Sequence, residues 1–236
     1  MPRPSRRHGE TVCCAGVTLD RKWRRLYPIR FRQLEERFNR WDWVSYNWRA
    51  LTSDARKESR HVFEDTITVH PRMPTDERAD FLQPLIVESV REAASRGDSL
   101  ALVRPSEASF RYKPKPAARI EAERAAYHQV ANQVGFFDRE LAAIEPSPFE
   151  FRFSFRDADG WHHHSCSDWE TTATYWKLGR RYNRETALAH LDEMYNRHYP
   201  TEGLAVALGN MARRPQTWLL LAVIRLDRPS GGRLFP

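Results

Sequence analysis

The stretch FEFRFSFRDADGWHHHSC, residues 149–166, decides how the rest of the chain is read. Phe149, Phe151, Phe153 and Phe155 alternate with Glu150, Arg152, Ser154 and Arg156. Side chains alternate between the faces of a strand, so this period of two marks a half-buried strand with its aromatics inward. DADG (157–160) supplies turn residues, and Trp161–Cys166 returns as the second arm of a hairpin. Beyond it, Asp168–Arg181 and Arg184–Arg197 read as two helices, the second capped by Asn183. Leu204–Leu208 and Thr217–Leu226 read as closing strands.

Working back towards the N-terminus, Thr11–Val17 and Lys22–Ile29 read as another hairpin, Trp41–Trp48 and Asp65–Val69 as strands, and Phe31–Phe38 as a short helix. Pro84 splits a helical stretch whose second part is Leu85–Arg96; Ser99–Val103 is a strand and Ala118–Val134 a helix. Phe110–Pro116 and EPSP (145–148) read as punctuated connectors. Strands and helices are mixed without a βαβ rhythm, so the predicted class is α+β. The expected architecture is a basic arm at 1–10, a barrel-like or hairpin-based β-rich module over 11–104, and an α+β module over 118–236 in which a β-hairpin meets packed helices. A single interleaved domain is the alternative.

Hydrophobic residues make up 41% and charged residues 29% of the 236 positions, a balance that supports a folded core and argues against disorder. No apolar run approaches the ~20 residues that span a bilayer, and no apolar segment follows the basic N-terminus. Cys13, Cys14 and Cys166 do not form a disulfide framework. These features predict a cytoplasmic protein without a membrane partner.

Charge carries the functional signal. Residues 1–32 hold nine of the 38 Lys and Arg residues but only two of the 31 acids, Glu10 and Asp20. The remainder is balanced, so the whole net charge of +7 sits in that segment. Its centre is RKWRRLYPIRFR (21–32), where Trp23, Tyr27 and Phe31 lie between the charges. Segregated positive charge makes a local field that attracts polyanions, and cations that neutralise phosphates release condensed counterions. Read as a strand, the segment separates an inward face (Trp23, Arg25, Tyr27, Ile29, Phe31) from a face bearing Lys22, Arg24, Arg30 and Arg32 together with Leu26 and Pro28. Pro28 marks it as an edge strand or its end. Arg3, Arg6, Arg7, Arg21, Lys22, Arg24, Arg25, Arg30 and Arg32 are therefore the candidate nucleic-acid-binding residues. Phosphate contact is expected in preference to base stacking, and DNA and RNA are both open.

A second constellation is DGWHHHSCSDWE (159–170). His162, His164 and Cys166 share one side of a strand, and imidazole with thiolate is a zinc-type donor set. No CxxC or HxxxH accompanies them, so no metal or cofactor is predicted, with zinc or another divalent ion as the minority reading. His162, His164, Asp168 and Glu170 are the weak candidates for an acid–base group. Capping of the following helix is the better account of Asp168 and Glu170. There is no P-loop, GxGxxG, GxSxG or HExxH.

PSRRHGETVCCAG (4–16), WRRLYPIRFR (23–32) and His162 with Asp168–Trp169–Glu170 resemble a family of uncharacterised bacterial proteins with ETVC-x-AG, RLYP-x-x-FR and H-x5-DWE elements. Some members carry cysteines just before the histidine, where this chain has Asp157, Ala158, Asp159 and Gly160. The resemblance lends no activity; it implies that both constellations belong to one family of chains.

The expected function is nucleic-acid binding through the N-terminal basic hairpin and arm, as an accessory or recognition subunit. The alternatives are a hydrolase or nuclease-like enzyme using the His/Asp/Glu group, and an assembly subunit whose basic hairpin meets an acidic protein partner. Enzymatic activity is left undecided.

Overall fold

The computed structural model describes residues 3–5, 9–30, 38–51, 54–131 and 144–226. Strands β1 (Arg3–Ser5), β2 (Gly9–Val17), β3 (Trp23–Ile29), β4 (Asp42–Ser45), β5 (Trp48–Arg49), β6 (Ser59–Val62) and β7 (Thr68–Arg72) come first. Helix α1 (Arg78–Leu82), β8 (Ile86–Val87), α2 (Val90–Ser95), β9 (Leu100–Val103), β10 (Glu107–Pro114) and α3 (Ala117–Ala131) follow. Then come β11 (Phe149–Asp157), β12 (Gly160–Ser165), α4 (Trp169–Arg181), α5 (Arg184–Glu193), α6 (Tyr199–Glu202), β13 (Leu204–Met211) and β14 (Arg214–Arg225). The class is α+β.

The chain forms two compact units. One comprises residues 1–18, 22–73 and 114–149, and the other 19–21, 74–113 and 150–236. Among the described residues no helix is long and apolar enough to cross a membrane.

In the first unit β1-β2-β3-β6-β5 form one sheet and β4-β7 a separate pair. This is a hairpin-based module, and neither sheet closes into a barrel. WDWVSYNW, expected as one strand, divides into β4 and β5, which join different sheets. β3 is not an edge: it lies between antiparallel β2 and parallel β6. Pro28 is accommodated in two ways. Pairing with β6 covers Arg25 to Tyr27 and stops before it. Opposite β2 the register slips between Val12↔Ile29 and Cys14↔Leu26, which sets Tyr27 and Pro28 against Cys13 alone. Such a bulge tolerates proline and shifts the side-chain phase by one residue. Leu26 and Ile29, three apart, therefore enter the same core with Val62, with Val12, Cys14, Phe38, Tyr46 and Ile67 packed around it.

In the second unit β14-β13-β9-β8 form a sheet whose centre is Leu100–Val103 and Leu204–Leu208, all buried. β10-β11-β12 form another. The hairpin of β11 and β12 turns at Ala158–Asp159, with Asp157 paired to Gly160. Gly160 has φ +117, which a side chain would resist. FRYKP within 110–116 is not a connector but most of β10: Phe110 is buried among Phe151, Phe153 and Tyr195, while Arg111 and Lys113 point outward. Leu85–Arg96 is not one helix either. Ile86 and Val87 pair with β9, and α2 starts only at Val90, after Ser89 caps it by accepting the Glu92 N–H.

Candidate nucleic-acid interface

The nine cations singled out in the sequence have different fates. Arg6, Arg7 and Arg32 lie outside the described residues, and Arg3 is placed only as backbone of β1. Arg21 and Lys22 are exposed in the turn after β2, where Thr18 Oγ1 accepts from Lys22 N and donates to Lys22 O. Arg30 is exposed but tied to Glu64, its Nε 2.8 Å from the carboxylate. Arg24 is half-buried, and its guanidinium donates to Trp23 O at 2.8 Å.

Arg25 does not belong to an exposed face. It is 5% exposed, opposite Ser59 in the parallel pairing of β3 and β6. Its backbone N–H donates to Glu58 O at 2.9 Å. Nearby, Arg56 makes two side-chain bonds to Asp54 at 2.9 and 2.7 Å, and Ser59 Oγ donates to the same carboxylate at 2.7 Å. Burial works against ionisation of Asp54, but these bonds prevail and hold its pKa down, to about 2. For Arg25, burial and then the like charge of Arg56 push its pKa down. A central strand has little room for a solvated cation, so this arginine is part of the unit's interior electrostatics.

Sequence reading missed Arg60, and it changes the site. In β6, Arg60 stands opposite Leu26, which places it on the same sheet face as Arg24. Its guanidinium carbon lies 4.2 Å from the centre of the Trp48 ring, a cation–π contact. One nitrogen donates to Lys57 O and Ser59 O at 2.9 and 2.8 Å, while Nε is buried and lacks a hydrogen-bond partner. Burial and then the like charge of Arg24 push the Arg60 pKa down. Tyr46 feels both guanidinium charges, although burial raises its own pKa. Trp48 is 48% exposed. The result is two cations on one face, with Arg60 feeling the charge of Arg24 more than that of Glu58, beside an exposed indole and a phenol. A phosphate group relieves that repulsion and offers the acceptors a guanidinium fork needs. WDWVSYNW reads from sequence only as a strand; the pairings of β6 with β3 and β5 are what join Trp48 to Arg24.

The second constellation does not converge. His162 and His164 share the inner face of β12 and stack on Phe155 at 5.0 and 5.6 Å. His162 Nε2 lies 2.8 Å from Asp157 Oδ1. That carboxylate also accepts from Asp159 N at 2.8 Å and Val90 N at 3.3 Å, so it fastens the hairpin turn to α2. Burial, then its two histidine neighbours, lowers the His164 pKa. Asp168 belongs to another set: it caps α4 by accepting from Glu170 N at 3.0 Å and takes a second bond from Val223 N. Glu170 itself is exposed. Cys166 is bonded to Thr171 at 3.6 Å. Among the described residues no three His, Cys, Asp or Glu gather to hold a metal ion.

Thiol chemistry follows from the same packing. Cys13 is exposed, whereas burial pushes Cys14 and Cys166 up to about 12. At neutral pH in native buffer, iodoacetamide is expected to alkylate Cys13 and spare the other two until denaturant is added. Peptide mass mapping checks this, and rapid native labelling of Cys14 or Cys166 contradicts the packing.

A family model described as Domain of unknown function (DUF8758) matches residues 1–86. Another, Domain of unknown function (DUF8757), matches residues 85–235. No curated protein and no solved structure matches the chain.

Proposed function

We propose that this chain, which belongs to the family described as Domain of unknown function (DUF8757), is a nucleic-acid-binding protein that grips the phosphate backbone through its first unit. One observation carries the reading: Arg24 and Arg60 share a sheet face with Trp48, both charges act on the Tyr46 phenol, and among neighbouring charges that of Arg24 opposes Arg60 most. Exposed Lys22, in the same unit, extends the positive field at the start of β3. Guanidinium–phosphate contacts are sequence-independent and salt-sensitive, which suits an accessory or recognition subunit. The unpaired thiols fit the cytoplasm, where nucleic acid is available.

Fluorescence anisotropy with labelled duplex DNA and single-stranded RNA, across a salt series, tests the proposal. Affinity is expected to fall steeply with salt. Arg24→Ala with Arg60→Ala is expected to weaken all sequences alike and to flatten the logarithmic salt slope by about two. Absence of binding to either probe at low salt overturns the reading, as does a double variant that binds like the parent at matched thermal stability.

A further inference from the structure

The outer face of β10, β11 and β12 is a second surface of different chemistry. The inner face is settled by Phe110, Phe151, Phe153 and Phe155, all buried. By alternation, the opposite face carries Arg111 and Lys113 from β10, Arg152 and Arg156 from β11, and Trp161 and His163 from β12. All six are exposed.

Two carboxylates share this face. Glu107 accepts from Arg156 at 3.2 Å, a pair with both side chains more than half exposed. Glu150 is more enclosed, 3.5 Å from Lys113 and 3.8 Å from Arg152, and accepts from Ser165 Oγ at 2.9 Å. Four cations thus face two acids, and the exposed Arg156–Glu107 pair is weak enough to be exchanged for phosphate.

The aromatic pair decides which polyanion fits. Trp161 is 50% exposed although it is the largest side chain of its strand. It lies parallel to His163, with 4° between the rings and 6.4 Å between their centres. Ser154 Oγ sits 2.8 Å from His163 Nδ1 and fixes that ring. Flat, held, solvent-facing rings beside arginines suit unpaired bases, whose π-faces a duplex keeps stacked internally. An acidic peptide would meet the charges but has no use for the parallel rings.

We infer that the outer face of β10–β12 binds single-stranded nucleic acid, with bases stacking on Trp161 and His163 and phosphates held by Arg111, Arg152 and Arg156. The surface is separate from the Arg24–Arg60 group and adds a preference for unpaired strands to the proposed backbone binding.

The test uses the full chain with labelled oligothymidylate, oligouridylate and a mixed-sequence duplex in anisotropy titrations at one salt concentration. Trp161→Ala is expected to weaken both single strands about tenfold and the duplex less than about twofold. Trp161→Phe should recover most of the loss. Arg152→Glu with Arg156→Glu should weaken single strands at least as much as Trp161→Ala. Matched thermal melts establish that each variant is folded. Single-strand affinity unchanged by Trp161→Ala overturns the inference, as does equal loss on the duplex or recovery only of an acidic protein resistant to nuclease. If Arg24→Ala with Arg60→Ala loses binding while the β10–β12 variants bind normally, this surface fails and the first stands. The reverse result retains this surface and removes the first.

Discussion

Phe153→Ala is expected to destabilise the second unit by about 3–5 kcal/mol, the range for removing a buried phenyl ring that its surroundings cannot replace. Phe153 is 1% exposed. Its ring centre lies 5.1 Å from that of Phe110 and 4.9 Å from that of Tyr195, which approaches edge-on at 82°. The three rings come from β11, β10 and the single π-helical turn that continues α5 (Met194–His198). Collapse into the space is resisted because Tyr195 is also anchored by its hydroxyl, 2.7 Å from Thr171 Oγ1 in α4. Burial, with Asp168 next, raises the Tyr195 pKa, so that hydroxyl stays protonated. A urea titration followed by circular dichroism reads the change as a lower midpoint at unaltered slope. Arg152→Ala, one residue away but on the exposed face, is the control and should stay within about 0.5 kcal/mol. Equal midpoints for Phe153→Ala and Arg152→Ala would contradict the assigned faces of β11.

The contrast between those neighbours shows what the sequence makes readable. Local alternation over FEFRFSFR depends only on the period of a strand, and the structure repeats it from Phe151 to Arg156, while Phe149 and Glu150 are both half-buried. Asn183 and Asp168 act as caps for a similarly local reason: each precedes a helix and accepts a backbone N–H from its first turn. The failures come from information that is not local. RKWRRLYPIRFR alternates less cleanly, with Arg25 among the aromatics and Leu26 and Pro28 among the cations, and a bulge opposite Cys13 changes its phase between Leu26 and Ile29. Arg25 then lies within a central strand because β6, about 30 residues later, pairs beside it. That same pairing brings Arg60 to Arg24, so the candidate site was half visible: its basic member stood out, and its partner did not. β10 was hidden by composition. Lysines and prolines follow Phe110 and argue for a loop, but burial of that one aromatic against two rings of β11 outweighs weak strand propensity.

Asp168→Ala is expected to cost about 2–4 kcal/mol, and the way that cost appears separates a structural carboxylate from a catalytic one. Asp168 is 3% exposed. One oxygen accepts from Glu170 N at 3.0 Å and caps α4, a bond type worth about 1 kcal/mol. The other accepts from Val223 N in β14 at 3.0 Å, in a buried setting. Removing the acceptor takes that buried bond away, at about 1–3 kcal/mol. The carboxylate therefore joins the first turn of α4 to a core strand, and its removal should loosen both. Hydrogen exchange should show faster exchange at Glu170 and Val223 than at residues of α2, which does not share the bond. Asp168→Asn gives the sharper result. It retains one carbonyl oxygen, so one of the two N–H groups keeps its acceptor while the other meets an amide donor. Its expected cost is about 1–2 kcal/mol. A catalytic aspartate would tolerate this change with its stability intact and lose only turnover. Unchanged urea midpoint and exchange in Asp168→Asn would therefore return Asp168 to the list of catalytic candidates. A lowered midpoint with exchange localised to α4 and β14 assigns it to the scaffold and leaves His162, already bonded to the buried Asp157, without Asp168 as a catalytic partner.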